Sequence, residues 1–405
     1  MFQKLSIIIP AYDEEDAIAS IIERSLIAKS SICENTSVDH VEIIVVSDGS
    51  TDKTVPIAQQ YEPDITLINY LPNKGYGAAI KTGFHAASGD LVSFLDADGT
   101  CDPLFFIDMI NTMEREKADI VIGSRMGKKS RMPKIRRLGN TIFVNLIKLL
   151  SKQTLTDSAS GMRVIRKDKL PEIYPLPDGL HFTPAMSVKA IFDSNLTIAE
   201  IDMTYEERMG ESKLSVLKDG LRFLRVIIEA ALGYNAFRFF GLIAMVLIAV
   251  SVYYGIHPVS FYLQNRYIEE WMIYRLITIS TLTTSALLLL IIGRVTQSLA
   301  DISNSQLRNR DSIVRRSIST TFIKFGLLTS LIFFALSLSI LWPAMEQYIL
   351  SGKIYIHWSR VLFGAQFFLI GVLCFASGSL NIGFRYLKEM FQYNYPEIHS
   401  TPDKD

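Results

Sequence analysis

The sequence predicts an α/β domain over residues 1–211 and a membrane region of four helices within residues 238–385. Two observations lead to this prediction. The first half of the chain alternates short apolar runs with segments of helical spacing, whereas the second half contains long apolar stretches. A chain of 405 residues is long enough to form both parts.

Five short apolar runs in the first half are rich in β-branched residues and predict the strands of one sheet: 5–10, 41–47, 65–70, 91–95 and 119–123. Segments of helical spacing lie between them, as in 15–26 and 75–87. Strands that alternate with helices predict a parallel sheet with helices on both faces. Ligands of such sheets bind beyond the carboxyl ends of the strands.

Four segments in the second half have the length and composition of transmembrane helices: 239–256, 276–298, 322–343 and 361–383. Each is long enough to cross a hydrocarbon core of roughly 30 Å. Buried core helices are the alternative, but such helices are usually shorter. The mean hydropathy of +0.24 is also high for a wholly soluble protein.

Basic residues in the connections predict the orientation of these helices. The segment 299–321 contains four arginines: Arg308, Arg310, Arg315 and Arg316. The connections near 257–275 and 344–360 are less basic. Because Lys and Arg accumulate in cytoplasmic loops, we expect an integral, multi-pass membrane protein whose N-terminal domain and tail, 386–405, are cytoplasmic.

Two segments are predicted to be basic amphipathic helices at the membrane interface. The first is 134–152, and the second is 212–228, within a predicted linker over residues 212–237. Helices of this kind can lie in the lipid headgroup layer. Packing of their apolar stripes against the domain's own core is the alternative.

The composition argues against several classes of function. The 41 basic and 41 acidic residues balance, so we expect no nucleic-acid partner. Three scattered cysteines predict neither a disulfide framework nor a zinc site. No glycine motif of a dinucleotide-binding or P-loop protein is found. The oligomeric state stays open, with a homo-oligomer among the options.

Asp96 and Asp98 directly follow the apolar run 91–95 and are the strongest candidates for chemistry. Two carboxylates at the end of a buried strand suit a hard cation such as Mg²⁺ or Mn²⁺, which prefers oxygen ligands and is often shared with substrate phosphates. Capping of the following helix is the alternative explanation.

Three more polar clusters follow predicted strands: Pro10–Glu15, Ser47–Asp52 and Asn73–Gly77. Because the strands share one sheet, we expect these clusters to meet in one cleft. Acids there can accept hydrogen bonds from a nucleoside, and Lys74 is placed to meet a phosphate. Helix N-capping is the alternative for each single aspartate.

Taken together, the segments PAYDEE, SDGSTD, NKGYGAA, FLDADGTCDP, IGSR and GESKL resemble inverting glycosyltransferases of family 2 with the GT-A fold, a Rossmann-like fold for nucleotide-diphospho-sugars. The most similar subgroup is the dolichol-phosphate mannose synthase-like, or polyprenyl-phosphate, glycosyltransferases. The resemblance covers about residues 4–230. The order of the motifs carries it, since no single motif is specific.

The resemblance implies roles for individual residues. The nucleoside would be held by residues of the first two clusters: Pro10, Tyr12, Asp13, Glu14 and Asp48. Asp96 and Asp98 would hold the metal and the diphosphate, with Arg163 and Lys213 also on the donor side. Arg125 and Arg137 would bind phosphate on the acceptor side. Asp157 is the candidate for a general base, and holding Arg163 or capping a turn is its alternative role.

The chain departs from the family pattern at several positions. Asp13 stands where relatives often have Asn, and Thr100 stands where a further metal-side Gln is common. Met162 replaces the Phe of an SGFR-like turn. These departures leave the metal shell and its ion preference open.

The implied function is transfer of a hexose from a nucleotide-diphospho-sugar, of the GDP-mannose or UDP-glucose type, to a polyisoprenyl phosphate. A single displacement at the sugar would invert its anomeric configuration. A glycosyltransferase with another membrane acceptor, such as a glycolipid or a polysaccharide, is one alternative. A transporter or scaffold that only senses nucleotide sugars is the other.

Overall fold

A computed structural model describes the backbone of residues 2–127, 130–151, 154–193, 195–206, 216–308 and 313–394. The chain divides into two compact units, Met1–Ala231 and Leu232–Asp405. This division falls within the segment 212–237 that the sequence predicts as a linker.

The first unit contains a sheet of seven strands in the described part of the chain: β1 (Lys4–Ala11), β2 (His40–Asp48), β3 (Thr66–Tyr70), β4 (Leu91–Phe94), β5 (Ile120–Ser124), β6 (Arg163–Arg166) and β7 (Ile198–Asp202). Their order across the sheet is β3-β2-β1-β4-β6-β5-β7. All five predicted strands are present within one or two residues of the expected bounds.

The five predicted strands run parallel to one another, but the sheet also contains β6, a strand that was not predicted and that makes the sheet mixed. This strand runs antiparallel to both β4 and β5, while β1, β2, β3 and β4 pair in parallel. Arg163, the first residue of β6, pairs with Phe94 at the end of β4. The chain therefore enters β6 at the carboxyl edge of the sheet and brings the preceding turn to that edge.

Seven helices of the described first unit connect these strands: α1 (Ile18–Asn35), α2 (Thr54–Gln59), α3 (Tyr76–Ala86), α4 (Phe105–Glu116), α5 (Lys134–Leu150), α6 (Leu170–Ile173) and α7 (Phe182–Phe192). Their apolar faces bury side chains against the sheet, as Ile18, Ile21 and Ile22 of α1 show. Burial of each such side chain stabilises the fold by about 1.5–3 kcal/mol.

Helix α5 differs from the other helices because its apolar stripe faces outward. Four stripe residues are more than half exposed: Ile135 57%, Leu138 58%, Ile142 58% and Leu149 51%. The stripe that the sequence predicts over 134–152 is therefore not packed on the core of the first unit. An exposed apolar face of this kind on a basic helix fits a lipid surface.

The second unit is formed by long helices: α8 (Val216–Asn265), which begins in the first unit, α9 (Ile273–Arg308), α10 (Ile313–Ser351) and α11 (Trp358–Asn394). Helix α8 is interrupted at Asn235, which has non-helical dihedral angles. Four helices of the described chain are long and apolar enough to cross a membrane. The sequence prediction of four candidate spans is confirmed in this sense.

Small and polar residues join the long helices to one another. Gly326 of α10 approaches the backbone of Gly378 in α11, where a Cβ would have its nearest neighbour at 3.3 Å. Gln366 of α11 forms hydrogen bonds with Ser280, Thr283 and Thr284 of α9. Close backbone approach and polar contacts are how helices associate in lipid, where burial of apolar surface supplies little.

Glu42 connects three segments of the first unit near the amino ends of β1 and β2, at the edge of the sheet away from the cavity. Its carboxylate accepts hydrogen bonds from the Ser6 hydroxyl and the Ser88 backbone, and Lys4 lies 2.7 Å away. Burial alone would raise the pKa of Glu42, but the Lys4 and serine contacts lower it to about 2. The charged form of Glu42 therefore stabilises the fold.

We predict that Glu42→Gln lowers the free energy of unfolding of the first unit by about 1–2 kcal/mol at pH 7. The unfolded pKa is about 4.3, so the contribution is complete above that pH and is lost as pH falls towards 2. The difference in unfolding free energy between Glu42→Gln and the wild type should therefore decrease as the pH falls from about 4.3 towards 2.

Pulsed alkylation of Cys101 in urea measures this effect, because Cys101 is buried in the first unit. Tryptophan fluorescence is unsuitable, since the tryptophans all belong to the second unit: Trp271, Trp342 and Trp358. Glu116→Gln on the exposed end of α4 is the control and should have little effect. Equal urea midpoints for Glu42→Gln and wild type at pH 7 would contradict the prediction.

Candidate active site

A cavity of about 510 Å³ lies at the carboxyl edge of the sheet in the first unit. One part of its wall is formed by polar side chains that follow β1, β2 and β4: Tyr12, Glu14, Asp48, Asp96 and Asp98. Another part is formed by two arginines and apolar side chains on α5, α8 and the approach to α5: Met132, Ile135, Arg136, Phe143, Arg222 and Phe223. One cavity thus combines acidic, basic and apolar surfaces.

Asp96 and Asp98 lie just beyond β4, and both line the cavity. The Tyr76 hydroxyl donates a hydrogen bond of 2.6 Å to Oδ1 of Asp96. The Thr100 hydroxyl donates one of 2.6 Å to Oδ1 of Asp98. Burial and then the Asp96 charge raise the pKa of Tyr76 well above its ordinary value, so this phenol stays a donor. Neighbouring hydroxyls therefore orient both carboxylates.

Gly161 lies directly against Asp96. A Cβ at position 161 would be 2.1 Å from Oδ2 of Asp96, which is closer than non-bonded atoms approach. The glycine reaches this place because β6 starts beside the end of β4. The turn before β6 is thus part of the carboxylate site.

The donor chemistry of Asp96 and Asp98 fits a Mg²⁺ or Mn²⁺ ion, since both ions prefer oxygen ligands. Within the described residues, no group of three or more His, Cys, Asp or Glu side chains is arranged to hold a metal. Mg²⁺ in proteins is commonly bound by one or two carboxylates together with substrate phosphates. The pair therefore suits a cation that arrives with a phosphorylated ligand.

Asp48 lines the cavity and also holds the loop before α3. Its two carboxylate oxygens accept hydrogen bonds of 2.8 Å from the backbone amides of Lys74 and Gly75. Gly75 has a φ of +106°, which a glycine adopts without strain. These bonds fix the start of α3, where Tyr76 follows Gly75 and donates its hydrogen bond to Asp96.

The loop after β1 contributes three predicted residues to the cavity wall: Pro10, Tyr12 and Glu14. Asp13 is not one of the described residues that line it. Oδ1 of Asp13 accepts a hydrogen bond of 2.7 Å from the Thr51 amide, and the Asp13 amide donates to the Ser50 hydroxyl. Asp13 therefore ties the β1 loop to the β2 loop, and its predicted contact with the nucleoside stays a prediction.

Arg125 lines the cavity and is held in place by Asp157. Nε and Nη2 of Arg125 donate hydrogen bonds of 2.7 and 2.9 Å to the two carboxylate oxygens. Burial alone would lower the pKa of Arg125, but the Asp157 charge raises it above its ordinary value. Burial would raise the pKa of Asp157, and the Arg125 charge lowers it instead. Both groups are therefore charged at neutral pH.

The prediction of Asp157 as a general base is not supported by its surroundings. Its side chain is fully buried, and Asp157 is not among the described residues that line the cavity. Both oxygens accept hydrogen bonds from Arg125, and Oδ1 also accepts one from the Ala159 amide. Asp157 holds an arginine, as the alternative role proposed, but that arginine is Arg125 rather than Arg163.

Arg163 is fully buried and does not reach the cavity wall that the described residues form. It donates hydrogen bonds to the carbonyl oxygens of Ser158 and Ser160 and to the Ser187 hydroxyl. Burial lowers the pKa of Arg163 to about 10, so it remains charged at neutral pH. Arg163 thus holds the turn before β6, and its predicted contact with a donor stays a prediction.

Two other predicted cations, Arg137 and Lys74, are also not among the described residues that line the cavity. Arg137 donates hydrogen bonds to the carbonyl oxygens of Met126 and Gly127, whereas its neighbour Arg136 lines the cavity. The ammonium of Lys74 lies 4.5 Å from the ring centroid of Tyr70. Lys213 lies outside the described residues.

Sequence reasoning missed several residues on the cavity wall. Arg136 and Arg222 lie in the two predicted interfacial helices, and the basic run around Arg136 was expected to bind an anionic lipid headgroup. Helix periodicity alone did not show which arginine turns inward. Tyr76 lies within the cluster Asn73–Gly77, in which only Lys74 was given a role. Tyr205, whose ring centroid lies 5.6 Å from the Arg125 guanidinium, carries no sequence signal.

Comparison with known proteins gives a consistent result. The family model described as "Glycosyl transferase family 2" matches residues 6–174. A dolichyl-phosphate hexose transferase of Haloferax volcanii is 30% identical over 240 residues, which are 57% of this chain and 95% of that protein. The alignment therefore spans nearly all of that relative.

Two further matches are more partial. A low-salt glycan biosynthesis hexosyltransferase of Haloferax volcanii is 30% identical over 57% of this chain, and the chain spans about half, 54%, of that relative's length. A solved glucosyl-3-phosphoglycerate synthase from Mycobacterium tuberculosis is 20% identical over 56% of this chain and 78% of that chain, with a TM-score of 0.46.

We predict that Gly161→Ala weakens binding of a Mn²⁺–nucleoside diphosphate complex by about 10- to 100-fold, because its methyl group displaces Asp96. Isothermal titration calorimetry on the detergent-solubilised protein measures the affinity. Gly233→Ala is the control, since a Cβ there meets nothing within 4 Å. Unchanged affinity in Gly161→Ala would show that Asp96 does not take part in this binding.

Proposed function

The chain belongs to glycosyl transferase family 2, and from that premise we propose that it transfers a hexose from a nucleotide-diphospho-sugar to a polyisoprenyl phosphate. The name of the Haloferax relative that aligns over 95% of its length supports this proposal. GDP-mannose and UDP-glucose are the donors that we propose to test first.

The observation that carries the proposal is that acidic and basic side chains line the same cavity. Asp96 and Asp98 supply ligands for a cation that accompanies a diphosphate. Arg125, Arg136 and Arg222 line the same cavity, and arginine is the side chain best suited to bind a phosphate through paired donors. A reaction between two phosphate-containing substrates needs both the carboxylate pair and the arginines, because each binds a different phosphate group.

Apolar residues beside the arginines favour a lipid as the phosphate-bearing partner. Phe143 and Phe223 pack edge to face with ring centroids 5.8 Å apart, and both line the cavity. Ile135 and Met132 extend this apolar wall. A soluble phosphate ester would gain nothing from such a wall, whereas the first isoprene units of a polyisoprenyl phosphate would be desolvated by it.

On the donor side, we propose that Asp48, Tyr12, Glu14 and Pro10 bind the nucleoside. Asp96 and Asp98 hold a divalent cation together with the diphosphate. A bound cation offsets the negative charge that develops on a departing diphosphate. Tyr76 and Thr100 keep the two carboxylates oriented for this contact.

The proposed reaction is a single displacement at the anomeric carbon. An oxygen of the acceptor phosphate forms a bond to this carbon while the bond to the diphosphate oxygen breaks. The electron pair leaves with the nucleoside diphosphate, and the anomeric configuration inverts. Arg125 keeps the acceptor phosphate near the sugar and lowers the repulsion between the two anionic partners.

This acceptor does not require a general base. The second pKa of a phosphate monoester is near 6, so the acceptor is already anionic at neutral pH. Asp157 is then free to serve as the fixed counter-ion of Arg125, which is the role its hydrogen bonds describe. A hydroxyl acceptor would need a base at the cavity.

We propose that the reaction takes place at the cytoplasmic face of a membrane. Four helices are long and apolar enough to cross a bilayer, as judged from length and composition within the described residues. The basic connection 299–321 favours a cytoplasmic location for this segment. The exposed apolar stripe of α5, flanked by Lys134 and Lys148, suits the headgroup layer.

We predict that membranes containing the protein transfer radiolabel from GDP-mannose or UDP-glucose into an organic-extractable polyisoprenyl phosphate sugar. Mass spectrometry identifies the sugar and the lipid. Asp98→Ala should abolish the product because it removes a carboxylate from the proposed cation site. If a full screen of nucleotide sugars gives no lipid product, the proposed function is wrong.

We predict that Arg222→Ala raises the KM for the lipid acceptor about tenfold, because one charge-assisted contact to its phosphate is lost. The KM for the nucleotide sugar should change by less than about twofold. Initial rates with each substrate varied in turn separate these effects.

Arg225→Ala is the matched control on the same helix. Arg225 is largely exposed and pairs with Glu229 rather than lining the cavity. Its removal should leave both KM values unchanged. If Arg222→Ala behaves like Arg225→Ala, the acceptor phosphate does not bind at this part of the wall.

A further inference from the structure

Asn140 joins helix α5 to the turn that contains Asp157. Its side-chain amide nitrogen donates a hydrogen bond of 2.8 Å to the Thr156 carbonyl oxygen. Its side-chain oxygen accepts bonds of 3.1 Å from the Ser158 amide and 3.0 Å from the Ser158 hydroxyl. One buried side chain thus holds the residues on both sides of Asp157.

The same turn is held from the sheet by Glu200 of β7. The carboxylate of Glu200 accepts hydrogen bonds of 2.7 Å from the Thr156 amide and 3.1 Å from the Asp157 amide. Glu200 and Asn140 fix the turn from two different elements. Asp157 then uses both carboxylate oxygens to hold Arg125 at the cavity.

From these contacts we propose that Asn140 is a positioning residue for glycosyl transfer, which acts through the 156–158 turn and Asp157 on Arg125. This inference rests on the proposed function, because it takes Arg125 to contact the acceptor phosphate. Asn140 itself lines the cavity, but its side-chain bonds are directed to the turn.

The chemistry of the position requires asparagine. The turn presents one acceptor, the Thr156 carbonyl, and two donors, the amide and hydroxyl of Ser158. The asparagine amide supplies an N–H donor for the first and an oxygen acceptor for the other two. Aspartate lacks the donor that Thr156 needs, and alanine leaves the Thr156 carbonyl and the Ser158 amide without this partner. Unsatisfied buried groups are costly, so the turn would shift to find other partners.

The position of Asn140 on α5 links two faces of the helix. At 100° per residue, Asn140 lies opposite the exposed stripe of Leu138 and Ile142. The face that suits a lipid surface and the face that anchors the Asp157 turn therefore belong to one rigid element. A displacement of α5 would reach the side chain of Arg125 through Asn140 and the 156–158 turn, while Arg137 of the same helix holds the backbone of Met126 and Gly127.

The first test compares Asn140→Ala with Asn145→Ala, an asparagine on the exposed side of the same helix. We expect Asn140→Ala to lower kcat/KM for the lipid acceptor about 10- to 100-fold. The KM for the nucleotide sugar should stay within about twofold. Asn145→Ala should match the wild type in both quantities.

A double-mutant cycle with Arg125→Ala separates positioning from general destabilisation. If Asn140 acts through Arg125, Asn140→Ala in the Arg125→Ala background should lower kcat/KM for the lipid acceptor by less than about threefold. If the full loss persists without Arg125, the effects are additive and the proposal is overturned. The assay must detect the residual activity of Arg125→Ala, so lipid product is counted by radiolabel.

Hydrogen exchange gives a readout that does not depend on turnover. Peptides over residues 154–160 should exchange faster in Asn140→Ala than in Asn145→Ala, while peptides of β1 and β2 should not change. Unchanged exchange in the turn overturns the inference even if activity falls. If the wild type forms no lipid product, the proposed function is wrong. If the wild type forms the product but the effects of Asn140→Ala and Arg125→Ala are additive, only the role of Asn140 is wrong.

Discussion

The antiparallel pairing of β6 with β4 is the constraint on which the rest of the site depends. Because Arg163 pairs with Phe94, the turn before β6 meets the carboxylates after β4 at one edge of the sheet. Gly161 then fits against Asp96 with no room for a side chain. The same turn carries Asp157, which holds Arg125. A parallel β6 would begin at the opposite edge and would leave Arg125 without its counter-ion.

Charge balance explains why the site is built from so many fixed contacts. Several carboxylates lie around one cavity, and those of Asp48, Asp96 and Asp98 are oriented by neighbours, as Thr100 orients Asp98. The buried charge of Arg125 is stable because Asp157 is close, since an unpaired buried charge is expensive. Arg163 adds a second buried cation whose pKa is lowered by burial yet stays above neutral pH. The acidic and basic parts of the wall can therefore coexist in one preorganised cavity.

Much of this organisation could be predicted from the sequence, because short apolar runs specify strands and the polar clusters follow them directly. Asp48, Asp96, Asp98 and Arg125 were all expected at the cavity and are found there. The direction of β6 was not predictable, since periodicity does not encode which way a strand runs. The sequence also could not show that Arg136 rather than Arg137 lines the cavity. Adjacent residues on a helix differ by 100°, and the inward face depends on tertiary packing.

We propose that one cavity holds a nucleotide sugar and a lipid phosphate at the same time. A structure determined by electron cryomicroscopy with a non-transferable donor analogue and a short polyisoprenyl phosphate tests it most directly. We expect the diphosphate at Asp96 and Asp98, and the lipid phosphate at Arg125 with an oxygen about 3–3.5 Å from the anomeric carbon. Lipid phosphate bound outside this cavity, with the donor in place, would contradict it.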